Sequence, residues 1–259
     1  MAFFQFVFNS KALEEPAHVN MIIPDQCEKD IPVVYLLHGL FGDQNSWIRY
    51  TSIERYANDR GLAIVMPYAA DSFYSDMHYG KKFYTYITEE LPAYLGKLLP
   101  LTKKREKTFV AGLSMGGYGA MKIAMANPER YAACAALSAP LYLGPGLVGK
   151  HNERFVRIWG ENYPETLPGS IHDPLAQAMK LEKSGKPLPR VFQSCGTEDT
   201  LYPSNIPAKA FFEQSSYDYV YREGPGAHTW DVWDHYIPMA LDFFIAGNEE
   251  LKAGQSDSI

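Results

Sequence analysis

Gly112-Leu113-Ser114-Met115-Gly116 matches the pattern G-x-S-x-G, directly after the apolar run Phe109-Val110-Ala111 and directly before a helical stretch. A tight strand-to-helix turn at this point would lift the serine hydroxyl out of a sheet, with glycines admitting the neighbouring backbone. A serine at its ordinary pKa is a weak nucleophile, so it needs a base, and the base needs a group to orient it. In such a turn the chain order is serine, then acid, then histidine. His151, His172, His228 and His235 follow Ser114. His228 ends Glu223-Gly224-Pro225-Gly226-Ala227-His228, a flexible loop between the last strand and the last helix, and is the expected base. The acid is expected in Gly196-Thr197-Glu198-Asp199, after the strand Val191 to Cys195. Both carboxylates qualify, and Asp199 is preferred as the shorter one. A tetrahedral oxyanion needs backbone donors, and His38-Gly39-Leu40-Phe41-Gly42 after Leu36-Leu37 offers one, so the Leu40 and Met115 N–H groups are the expected pair. The chemistry indicated is nucleophilic acyl transfer.

The elements that must carry these residues alternate. Phe3 to Phe8 and His18 to Ile23 read as an antiparallel pair, and Pro32 to Leu37 as a strand buried on both faces. Thr51-Ser52-Ile53-Glu54 reads as a capping box opening a helix that stops at Gly61, before a strand from Leu62 to Met66. A helix from about Lys82 to Leu99 follows, with Pro92 kinking or dividing it. Then come a strand at Lys107 to Ala111, a helix at Met115 to Ala126 and a strand at Tyr131 to Ser138. After them follow a strand at Arg190 to Cys195, a helix at Ile206 to Gln214, a strand at Tyr217 to Arg222 and a helix at Thr229 to Ala246. This order implies an α/β fold with a mostly parallel sheet, helices on both faces and a site at the carboxyl ends of the strands. Residues 1–246 read as one domain with a cap-like insertion at about 140–189, and 247–259 as a polar tail.

Composition narrows the class. Of 259 residues 46% are hydrophobic, enough for a core, and the net charge of −6 argues against a nucleic-acid partner. No apolar run reaches the length of a membrane span. Cys27, Cys134 and Cys195 are too sparse for a disulfide framework, and with an N-terminus lacking signal-peptide features they point to the cytoplasm. Asp231, Asp234 and His235 read as a solvated helix face, so no metal is expected.

Taken together, Leu36-Leu37-His38-Gly39-Leu40 with Trp47, Ala111 to Gly119, Cys195 to Asp199, and His228-Thr229-Trp230 with Trp233 resemble the esterase D-like esterases. Within that group the chain most resembles bacterial tributyrin esterases, with cinnamoyl and feruloyl esterases nearby. The resemblance implies an α/β-hydrolase fold, hydrolysis of small short-chain carboxylic esters, no cofactor, homo-oligomers, and a triad on Ser114, Asp199 and His228. S-formylglutathione hydrolases of the same group carry Thr-Cys where this chain has Phe41-Gly42. That thioesterase activity, acyl transfer to an alcohol, and a silent binding protein of the same fold are the alternatives. Trp47, Phe73, Tyr74, Trp159 and Trp230 are the expected substrate contacts, the insertion's aromatics joining the loop after Met66 in an apolar wall around a shallow pocket.

Overall fold

Five of the eight strands are buried along nearly their whole length, as a parallel sheet covered on both faces requires. The computed structural model describes residues 1–25, 29–144 and 151–247; Cys27 and the tail after Gly247 lie outside them. The strands are β1 (Ala2–Ser10), β2 (Glu15–Ile23), β3 (Val33–Leu37), β4 (Ala63–Pro67), β5 (Thr108–Leu113), β6 (Ala133–Leu137), β7 (Arg190–Gly196) and β8 (Tyr219–Gly224). They form one sheet in the order β1-β2-β4-β3-β5-β6-β7-β8. The β1–β2 hairpin joins β4 antiparallel, and every other pairing is parallel. This is the α/β-hydrolase fold.

Side-chain alternation along the strands feeds two cores. Val33, Tyr35 and Leu37 enter one, whereas Val34 and Leu36 enter the other. The first core lies under α5 (Met115–Ala126) and the helices of the insertion, the second under α2 (Ile53–Asn58) and α10 (Trp230–Ala246). Strand order reverses around β3, which pairs with β4 on one side and β5 on the other. Such a switch point leaves a crevice at the carboxyl ends of the strands, and both the Gly39–Gly42 loop and Ser114 emerge there.

Element boundaries moved where proline or capping chemistry intervened. The expected Lys82 to Leu99 helix is divided into α3 (Phe83–Thr85), a π turn over Tyr86–Glu90 and α4 (Leu91–Leu98). Pro92 has no N–H to offer the Thr88 carbonyl, and the Arg130 guanidinium donates to that carbonyl instead. α2 starts at Ile53 and ends at Asn58, and the expected capping box is not formed: its N-cap is Ser52 without a side-chain cap, while Thr51 Oγ1 accepts the Ile53 N–H at 3.2 Å and donates to Trp47 O at 2.5 Å at the end of α1 (Ser46–Tyr50). Between β6 and β7 the insertion folds into α6 (Glu153–Trp159), α7 (Tyr163–Thr166) and α8 (Pro174–Glu182). Asn152 caps α6 and Asp173 caps α8, each accepting a backbone N–H. α9 (Tyr202–Phe212) begins four residues before the expected Ile206, because Pro203 occupies its first turn, where an N–H is not needed.

Candidate active site

Ser114 sits between β5 and α5 with φ 51° and ψ −120°, a left-handed conformation that an L-residue adopts only under constraint. The constraint is close packing of the turn on β3. A Cβ on Gly116 would lie 2.3 Å from Leu37 O, and one on Gly112 would lie 2.4 Å from the Gly116 carbonyl carbon. Only glycine fits at either place, which is the physical content of the G-x-S-x-G pattern.

Ser114 Oγ lies 2.9 Å from His228 Nε2, and His228 Nδ1 lies 2.8 Å from Asp199 Oδ2. Asp199 has no exposed side-chain surface, whereas His228 is 31% exposed toward the cleft. Burial alone would raise the Asp199 pKa, but the hydrogen bond from His228, the Leu201 N–H at 2.7 Å and the His228 charge hold it below 3.8. The ionised carboxylate therefore fixes the imidazole with its proton on Nδ1 and its lone pair on Nε2 facing the serine.

The histidine loop is tied to β7. Glu198 accepts the Gly226 N–H through Oε2, its own N–H donates to Gly226 O at 3.1 Å, and the Thr197 N–H donates to Gly224 O at 2.9 Å. A Cβ on Gly196 would lie 2.0 Å from Gly226 O, so strand end and loop touch through glycine. Glu198, the alternative acid at the sequence level, thus holds the backbone of the histidine loop, and Asp199 faces the ring. His235 stacks edge-on against Tyr236, away from Ser114, while Asp234 accepts the Ser52 N–H at 3.2 Å.

The loop after β3 is organised by the buried His38. The Ala69 N–H donates to its Nε2 at 3.0 Å, so the ring proton is on Nδ1 and donates to Gly39 O at 2.8 Å. Burial lowers its pKa further, keeping it neutral. Gly39 O also accepts the Gly42 N–H at 3.1 Å, closing the turn that presents Leu40. Among the described residues, neither the Leu40 nor the Met115 N–H has an acceptor, so both are available to a bound oxyanion.

A cleft of about 430 Å³ contains Ser114 and His228 and is walled by Leu40, Phe41, Tyr50, Trp230 and Trp233. Of the five expected substrate contacts Trp230 alone lines it. Trp47 is buried beneath, its ring edge-on to Trp230 at 5.4 Å and its Nε1–H on Leu37 O at 3.1 Å. Phe73 and Tyr74, both at positive φ, pack in the core beside α5, and Trp159 packs against Phe73 at 5.4 Å. These three aromatics pack in or against the core instead of forming the wall. The Tyr74 hydroxyl donates to His38 O at 2.8 Å and so supports the Gly39–Gly42 loop from behind.

Lys122 was missed at the sequence level. Fully buried on α5, it donates to Phe73 O and Ser75 Oγ, both at 2.8 Å, and lies 5.1 Å from the Tyr118 ring centroid. Burial drives its pKa well below the usual lysine value. Trp159 Nε1 donates to the same Ser75 Oγ at 3.2 Å, so Lys122 joins the Phe73 to Ser75 loop to the insertion. Burial and the Lys122 charge push nearby His172 down to about 4, leaving it uncharged.

Residues 10–244 match the protein family described as "Putative esterase". An acetyl esterase of Caldicellulosiruptor saccharolyticus is 28% identical over 94% of this chain and 98% of its own length. Among solved structures, FphF, a fluorophosphonate-binding serine hydrolase of Staphylococcus aureus, superposes with a TM-score of 0.86 at 32% identity, covering 94% of this chain and 98% of FphF. The S-formylglutathione hydrolase FrmB of Staphylococcus aureus superposes with a TM-score of 0.83, also at 32% identity and with the same coverage.

Proposed function

This chain belongs to the esterase family that matches residues 10–244 and is a carboxylic ester hydrolase, and on that premise we propose that it cleaves short-chain acyl esters through an acyl-enzyme on Ser114. The observation that carries this reading is the relay of contacts from Ser114 Oγ through the His228 ring to the buried Asp199 carboxylate.

In the first half-reaction Ser114 Oγ attacks the ester carbonyl carbon while His228 Nε2 takes the hydroxyl proton. Asp199 stays ionised and stabilises the imidazolium that forms. The carbonyl oxygen becomes an oxyanion held by the Leu40 and Met115 N–H groups, and the N-terminus of α5 adds its positive dipole end. His228 then returns the proton to the leaving oxygen, and the carbon–oxygen bond breaks to release the alcohol. Water enters, loses a proton to Nε2 and attacks the acyl carbon; collapse of that second intermediate frees the carboxylic acid and restores Ser114.

Substrate size follows from the cleft. Its aromatic walls cover a few carbons, and each buried methylene contributes about 0.8 kcal/mol until the wall is reached. An acyl group of about two to six carbons suits such a space. The test is hydrolysis of p-nitrophenyl acetate and butyrate before and after reaction with a phosphonofluoridate, with peptide mass analysis. One adduct, on the peptide holding Ser114, with loss of turnover is the expected result. An adduct elsewhere, or full turnover in the labelled protein, overturns the reading.

The likeness to FrmB supports a second reading, hydrolysis of a thioester such as S-formylglutathione by the same steps. Phe41-Gly42, where S-formylglutathione hydrolases typically carry Thr-Cys, weighs against it. A kcat/KM for S-formylglutathione at least tenfold above that for p-nitrophenyl acetate would favour this second reading.

A further inference from the structure

Beyond Phe41 lies a second cleft, of about 700 Å³, that shares Phe41 and Gly42 with the catalytic cleft and contains neither Ser114 nor His228. Phe41 is therefore the common wall of the two spaces. Its conformation is unusual in two respects. The backbone is left-handed at φ 61° without glycine, and the residue is 80% exposed. Strain in a non-glycine residue persists only where the surroundings impose it, and here they do. The Phe41 N–H donates to Asp71 Oδ1 at 2.9 Å, and Asp71 Oδ2 lies 3.5 Å from Arg154 Nη2. Arg154, on helix α6 of the insertion, also places its guanidinium 4.9 Å from the Phe41 ring centroid. Loop and insertion thus hold the phenyl ring upright between the clefts.

Tetrahedral geometry decides which part of the substrate meets this wall. The leaving oxygen must reach His228 Nε2 to be protonated, which directs the alcohol toward the end of the cleft formed by Trp230 and Trp233. The oxyanion points at Leu40 and Met115. The acyl chain is left the fourth direction, for which the cleft offers the Phe41 side and the Tyr50 side. Resting on the short-chain esterase reading above, we propose that Phe41, held by Asp71 and Arg154, is the residue that sets the acyl-length limit, and that the cleft behind it is an acyl subsite closed by its ring. Tyr68, Met77 and Phe83 give that cleft apolar surface for an alkyl chain, beside six charged side chains, Asp71 and Arg154 among them, that complete its lining.

The experiment is a p-nitrophenyl ester series from two to twelve acyl carbons with the full chain and with Phe41→Ala, Phe41→Trp and Arg154→Leu. The readout is the ratio of kcat/KM for octanoate to that for butyrate, which cancels changes common to both. Each methylene that gains cover contributes about a fourfold factor, so Phe41→Ala should raise the ratio by roughly tenfold or more. Phe41→Trp should lower it, and Arg154→Leu, which frees the ring, should raise it less than Phe41→Ala does. Alanine at φ 61° adds no strain that phenylalanine lacks, and the tryptophan and arginine variants keep the test open should the alanine variant misfold. A ratio unchanged in all folded variants, or a parent chain already preferring octanoate, overturns the proposal. The short-chain reading then stands or falls separately on butyrate hydrolysis by the parent chain; if the parent hydrolyses no acyl ester, both are overturned.

Discussion

Replacing Asp199 by Asn tests the relay at its most buried member. The carboxylate divides its oxygens: Oδ1 accepts the Leu201 N–H at 2.7 Å and Oδ2 faces His228 Nδ1 at 2.8 Å. If the amide keeps its oxygen on Leu201, its NH2 meets Nδ1, which must then be the acceptor. The ring proton moves to Nε2 and Ser114 loses its base. If the amide flips, the tautomer is right but two donors face each other at Leu201 without water, at a cost of about 1–3 kcal/mol. Either orientation also lacks the negative charge that stabilises the imidazolium. A comparable substitution in a serine protease lowers kcat by about 10⁴, which is about 5.5 kcal/mol. The amide flip thus accounts for roughly 1–3 kcal/mol and the missing charge for about 2.5–4.5. Steady-state hydrolysis of p-nitrophenyl butyrate, alongside circular dichroism to verify folding, measures the loss. Glu198→Gln keeps a carbonyl oxygen for the Gly226 N–H and should cost less than about tenfold. An Asp199→Asn protein retaining a tenth of its activity, or a Glu198→Gln protein crippled as severely, would refute the assignment. A linked effect on stability has a definite sign. Asp199 is held below 3.8 in the folded chain, so it contributes stability above pH 3.8 that is lost as pH falls through the lower folded value. Thermal melts from pH 5 to pH 3 should therefore fall less steeply in Asp199→Asn than in the parent.

Ser114→Ala should reduce ester turnover by about 10⁶, since the members of such a relay act as a unit; a tenth of the parent rate in a folded variant would remove Ser114 from the mechanism. Asp231→Asn, on the exposed start of α10, should leave kcat within about threefold of the parent, measured in the same assay. Gly116→Ala forces a Cβ to within 2.3 Å of Leu37 O and should lower stability by about 3 kcal/mol; an unchanged urea midpoint would mean that the turn tolerates a shift away from β3. Across acyl lengths kcat/KM should peak between about two and six carbons, and a peak at twelve or more would indicate a long tunnel in place of the aromatic-walled cleft.

That Ser114, Asp199 and His228 come together was legible in the sequence because each is tied to a strand end. Ser114 follows β5, Asp199 follows β7 and His228 follows β8, and a parallel sheet brings all those ends to one edge however the intervening helices pack. Continuous burial of Val33–Leu37 and Thr108–Leu113 writes the central strands directly into composition. Boundaries were less legible where one residue served two neighbours, as Thr51 does between α1 and α2, or where a proline began a helix instead of ending one, as Pro203 does in α9.

The walls of the cleft were not legible, for a different reason. Aromatic residues in a loop after a strand can face the site or the core, and the choice rests on contacts with residues distant in the chain, which carry no periodic signal. Phe73, Tyr74 and Phe41 all have positive φ, yet the first two are buried in the core and Phe41 is exposed. What stabilises each choice is a partner distant in the chain, Lys122 for Phe73 and Asp71 with Arg154 for Phe41. One of these partners does leave a trace: Lys122 is the only charged residue in Met115–Ala126, a helix buried around almost its whole circumference, so its ammonium has to find acceptors inside the protein. In this chain a tether runs from α5 through Phe73 and Tyr74 to His38, the residue that shapes the Gly39–Gly42 loop.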